Sequence, residues 1–70
     1  MQQYLEIIEQ LDAQEAQTKQ PQEMRLKVDS KDEAIALLST YESLFDGLTY
    51  IKRLHTCYHE EGLPCTSEAL

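Results

Sequence analysis

Residues 55–65 hold four side chains that bind soft metals: His55, Cys57, His59 and Cys65. Imidazole nitrogen and thiolate sulfur are the usual donors to zinc and related ions. The spacing H-x-C-x-H-x5-C is not that of a standard zinc finger, so geometry has to decide what it can do. On a strand, His55, Cys57 and His59 share one face, with neighbours about 6.5–7 Å apart. Two neighbours can then share a tetrahedral ion, but all three span too far without a bulge. Cys65 joins them only if Glu61-Gly62-Leu63-Pro64 turns the chain back. On a helix, His55 and His59 meet at i and i+4 while Cys57 points elsewhere. His55 and His59 therefore share a face under either structure. The competing reading is a set of polar residues on a solvated face, with Cys57 acting as a small hydrophobe.

Other chemistries fare worse. A nucleophilic Cys57 needs an imidazole within hydrogen-bond reach, and residues two apart on a strand sit slightly too far for that. The carboxylate pairs Glu6/Glu9, Asp12/Glu15 and Glu60/Glu61 occupy polar stretches. Acid–base catalysis needs one carboxylate desolvated so that its proton affinity rises. Gly47 and Gly62 alone cannot build a phosphate-cradling loop. Arg25 with Lys27, and Lys52 with Arg53, suit a small anion spot or a solvated face. Tyr41, Tyr50 and Tyr58 have apolar neighbours at core spacing and suit packing better than base stacking.

The chain has 70 residues, 41% of them hydrophobic, with six basic residues against thirteen acidic ones and a formal charge of −7. That is room for a single domain over residues 1–70 with a thin core, of the kind that needs a staple, a metal or a second chain. The acidic balance argues against direct nucleic-acid binding and favours a basic protein surface as partner. The N-terminal segment Met1-Gln2-Gln3-Tyr4 lacks the basic residues of a signal peptide. No apolar run approaches the ~20 residues that span a membrane. The expectation is a cytoplasmic protein, no membrane contact and reduced thiols, although a Cys57–Cys65 disulfide across a turn is geometrically conceivable.

The elements that must position these groups follow from periodicity. Tyr4, Leu5, Ile8 and Leu11 recur at helical spacing, which predicts a helix over 3–18. Pro21 ends it, within a polar linker at 18–23. Met24-Arg25-Leu26-Lys27-Val28 alternates and predicts a short half-buried strand. Ser30-Lys31-Asp32-Glu33 is a capping box, in which Ser30 accepts from the Glu33 backbone and Glu33 reaches back to the Ser30 backbone. The stripe Ala34, Leu37, Leu38, Tyr41, Leu44, Phe45 follows on that helix. Asp46-Gly47-Leu48 reads as its stop. Residues 49–58, rich in Thr, Tyr and Ile, then predict a strand with Leu48, Tyr50, Leu54 and Tyr58 on one face. The rival reading continues the helix through Gly47, giving an all-α helical hairpin with a long second helix at 31–61. Residues 64–70 read as a loose tail or the start of a helix.

The expected fold is α+β in the order α-β-α-β. Its two strands pair in parallel through a crossover, and the slim sheet is completed by homodimerisation. The expected function is non-enzymatic: partner binding or regulation through a sheet edge or apolar face. The alternatives are a zinc-binding module using His55, Cys57, His59 and Cys65, and an acidic mimic of nucleic acid that blocks a DNA-binding protein.

Overall fold

A computed structural model describes residues 1–70. Four strands form one sheet: β1 (Gln2–Glu9), β2 (Glu23–Val28), β3 (Tyr50–Cys57) and β4 (Thr66–Ala69). The single α-helix, α1 (Lys31–Tyr41), lies between β2 and β3 in sequence. The strand order is β2-β1-β3-β4 and every neighbouring pair is antiparallel. The architecture is a small α+β domain, and the all-α hairpin is excluded.

The largest correction concerns the N-terminus. Residues 3–18 are not a helix; their first half is the central strand of the sheet. Leu5 and Ile7 are fully buried beside Val28, Ala34, Leu38, Phe45 and Leu54. Ile7 and Ile8 supply apolar side chains to opposite faces, so the segment satisfies a helical period as well as a strand period. Hydrogen bonding to strands on both sides decides between them. Glu15–Gln17 forms only one turn of 3-10 helix. Residues 18–23 therefore do not follow a helix; they close the excursion between β1 and β2. Glu9 anchors that closure, accepting from the Gln22 backbone at 3.0 Å and from Lys19 Nζ at 3.1 Å.

This central strand also revises the sheet. β2 and β3 were expected to pair directly; instead both flank β1 and run parallel to each other across it. The connection through α1 therefore crosses over a strand, and the element order is β-β-α-β-β rather than α-β-α-β.

Other expectations hold. β2 spans Glu23–Val28, and β3 begins one residue later and ends one residue earlier than expected. Ser30 Oγ accepts from the Glu33 backbone at 3.1 Å. Glu33 reaches back to the Asp29 N–H at 3.3 Å, one residue before the one expected. Ala34 and Leu38 bury the helix face. After Tyr41 the chain tightens into a 3-10 turn, Glu42–Phe45. Three residues per turn instead of 3.6 rotate the stripe, so Phe45 enters the core while Leu44 remains 55% exposed. Gly47, at φ 80°, completes the stop.

The C-terminal residues are not a loose tail. Thr66–Ala69 pairs with β3, and Lys31 makes an ion pair with Glu68. No helix is long and apolar enough to cross a membrane.

Candidate metal centre on the open face of the sheet

The helix covers one face of the sheet. Alternation along each strand sends Leu5, Ile7, Val28 and Leu54 to that face and their neighbours to the other. The register places Tyr4 opposite Lys27 and His55, and Glu6 opposite Arg25 and Arg53. His55 in turn lies opposite Ser67. The face away from α1 is thus polar and charged.

Glu6 organises its middle. Only 8% of this residue is exposed. Arg53 Nε donates to Glu6 Oε1 at 2.8 Å, and Arg25 Nε approaches Glu6 Oε2 at 3.5 Å. The Arg25 guanidinium lies 4.4 Å from the centre of the Tyr4 ring. Cross-strand pairing of opposite charges satisfies the carboxylate without apolar cover.

Next to this cluster, at the β3–β4 end, lie the soft ligands. The register pairs Thr56 with Thr66, so Cys65 falls opposite Cys57 on the next rung. Leu70 N donates to Lys52 O, which marks residues 52 and 70 as a hydrogen-bonded pair. Rungs alternate in an antiparallel ladder, so 53/69, 55/67 and 57/65 are the non-hydrogen-bonded rungs, where side chains stand closest. The intervening chain makes the return possible. His59–Glu61 is a single 3-10 turn, Gly62 takes φ 69°, and Leu63 N donates to Tyr58 O at 3.2 Å. The positive φ at Gly62 favours glycine over any residue with a Cβ.

His55, Cys57 and Cys65 each bring a donor atom to within 4.8 Å of the other two. Cys57 is buried and Cys65 partly exposed, and both are free thiols. Burial raises the proton affinity of the Cys57 thiol above its ordinary value, and the neighbouring Cys65 thiol adds to this. His59 stands apart from the trio but places Nε2 3.6 Å from Cys65 Sγ. Sequence spacing paired His55 with His59; the structure pairs Cys57 with Cys65 instead. The strand ends at Cys57, so His59 leaves the alternation and reaches the group by way of the turn.

Tetrahedral zinc takes bonds of about 2.3 Å to sulfur and about 2.0–2.1 Å to nitrogen, which sets S···N near about 3.6 Å and S···S near about 3.8 Å. The Cys65–His59 separation already has that value. Within the trio of His55, Cys57 and Cys65, donors no more than 4.8 Å apart need to close by about 1.2 Å at most to reach these values. His55 Nδ1 lies 3.1 Å from Ser67 Oγ and 3.8 Å from Glu6 Oε1. With Nδ1 engaged on that side, Nε2 would be the nitrogen left to bind an ion. A ligand histidine whose other nitrogen meets a hydroxyl and a carboxylate is the usual supporting arrangement. Glu6 and Ser67 are the supporting residues that sequence spacing missed. Both come from other strands, and only the sheet register reveals them.

A small cavity of about 100 Å³ opens beside the group, lined by Met1, Gln2, Cys57, His59 and Glu60. Comparison with protein-family models, with curated proteins and with solved structures finds no match to this chain.

Proposed function

We propose that the chain is a soft-metal-binding module, with zinc as the favoured ion. His55, Cys57 and Cys65 are ligands and His59 completes a tetrahedral set. The observation that carries this reading is the meeting of three soft donors within 4.8 Å on the sheet. Three segments tether the ligands: β3 holds His55 and Cys57, the 3-10 turn carries His59, and Cys65 immediately precedes β4. An ion there ties β4, a short exposed edge strand, to the middle of the sheet. Its role is structural, since four protein ligands leave no position open for a substrate. Metal analysis of reduced protein, after saturation with Zn2+ and desalting, tests the reading. It expects a single tightly held equivalent and a melting temperature that falls on adding EDTA. Less than about 0.1 equivalent, with no shift in melting temperature, rejects it.

A second reading is favoured by the sheet edges. β2 and β4 lie at the two ends of the sheet, and an edge strand offers unpaired backbone groups to another chain. On this reading a protein partner, or a second copy forming a homodimer, adds a strand there. Light scattering over a range of concentrations tests self-pairing: a growing dimer fraction supports it, and a monomer throughout rejects it.

A further inference from the structure

The two cysteines occupy a position with a chemistry of its own. They lie just past the last paired rung, Thr56–Thr66, and continuing the register sets them opposite each other at a non-hydrogen-bonded position, where opposing Cα atoms lie about 4.5 Å apart. Disulfides bridge Cα separations of about 4.4–6.8 Å. The two sulfur atoms lie within 4.8 Å of each other, and both are thiols. Side-chain rotation, with a small approach of the two strand ends, closes the remaining gap. Many cysteine pairs near a turn fail this test, because a hydrogen-bonded rung or a shifted register aims the Cβ atoms apart.

We propose that Cys57 and Cys65 form a reversible disulfide with low-molecular-weight disulfides as the oxidant, and that the oxidised and metal-bound forms exclude each other. Exposure sets the order of events. Cys65 is partly exposed, whereas Cys57 is 6% exposed. The Cys65 sulfur, having given its proton to solvent, attacks the reagent disulfide. A protein–reagent mixed disulfide forms and one reagent thiol leaves. Cys57 then gives up its proton and attacks the Cys65 sulfur, forming the intramolecular bond and releasing the second reagent thiol. Two protein thiols are oxidised, and one reagent disulfide is reduced to two thiols. The reverse exchange restores the dithiol.

The disulfide itself requires no metal; only the mutual exclusion rests on the metal reading. A bound ion occupies both sulfurs and shields them. The disulfide leaves His55 and His59 without thiolate ligands, a set too poor to hold zinc tightly. Oxidation therefore releases the ion yet keeps β4 tied to β3 by a covalent link.

The test equilibrates metal-free reduced protein with glutathione buffers of graded potential, quenches with an alkylating reagent, and reads the products by intact mass and peptide mapping. The expected product has a Cys57–Cys65 link and no alkylated thiol. The C57S variant should halt as the glutathione mixed disulfide at Cys65, and the C65S variant should react much more slowly. Stable glutathione adducts on the wild-type protein, or two alkylated thiols even in the most oxidising buffer, overturn the disulfide. A second arm repeats the oxidation with Zn2+ held about 100-fold above its dissociation constant, where the metal-free fraction falls to about 1%. Oxidation should then slow by about 100-fold. An unchanged rate overturns mutual exclusion while leaving the disulfide standing. If the Zn2+ titration itself shows no binding, the metal reading fails and the disulfide is judged by the first arm alone.

Discussion

On the helix side of the sheet, Leu5, Ile7, Val28 and Leu54 pack under α1 and Phe45 and are almost wholly removed from water. On the other side the same strands present Glu6, Arg25, Arg53, His55 and Cys57, held by ion pairs and hydrogen bonds. The first side is stabilised by burial, which is indifferent to direction and to solution chemistry. The second is held by charge and hydrogen bonding, which depend on protonation; on the proposed reading it depends on redox state and metal supply as well. The contrast shows how a chain this small divides its labour. Its one core takes a single face, and the other face is held by polar and charged groups.

Substitutions separate the two sides. Leu5→Ala empties a fully buried site in the central strand and should cost about 2–5 kcal/mol. Against a total of about 5–15 kcal/mol for a typical domain, that is enough to unfold much of the population. Urea denaturation followed by circular dichroism measures it. Glu6→Gln keeps the size but leaves two guanidinium groups facing each other without their shared carboxylate. The expected loss is about 1.5–3 kcal/mol, the scale of hydrogen bonds to charged groups. A loss as large as that of Leu5→Ala would mean that the open face is as structural as the core.

Acid should weaken the fold through two carboxylates outside the open face. Glu9 is held below its ordinary value of 4.5, first by the Gln22 N–H and then by Lys19. Glu42 is lowered first by the Tyr50 hydroxyl and then by Lys52. A carboxyl lowered in the folded state stabilises the fold above its ordinary value, and that contribution is lost as pH falls through the lowered one. The denaturation midpoint should therefore drop below pH 4.5, and less steeply in Glu9→Gln.

The smallest effect on the metal-free protein is expected at the candidate centre itself. Cys65→Ser removes a partly exposed thiol and should change metal-free stability by less than about 0.5 kcal/mol. The same variant should abolish any rise in melting temperature on adding Zn2+. His59→Ala should reduce that rise rather than remove it.

Some of this was legible in the residues alone. β2 declares itself through strict alternation, α1 through its Ser30 cap, and β3 through Thr, Tyr and Ile after Gly47. β1 did not, because Tyr4, Leu5, Ile8 and Leu11 also fit a helix, and its identity as a strand comes from partners distant in sequence. β4 carries almost no signal: Thr66-Ser67-Glu68-Ala69 is exposed throughout and is a strand only because β3 lies beside it. The same division holds at the candidate centre. The ligand types could be read from the residues. The pairing of Cys57 with Cys65, and the support from Glu6 and Ser67, needed the register between strands.

The central claim is that the β3–β4 corner is a thiolate–imidazole metal centre, and a Co2+ titration of the reduced protein tests it most directly. The account predicts saturation at one ion per chain, with the intense d–d bands of tetrahedral cobalt and thiolate-to-metal charge-transfer absorption. That charge-transfer absorption should be weakened in both C57S and C65S, and Zn2+ should displace the spectrum. A wild-type spectrum that stays that of octahedral aqueous cobalt would contradict it.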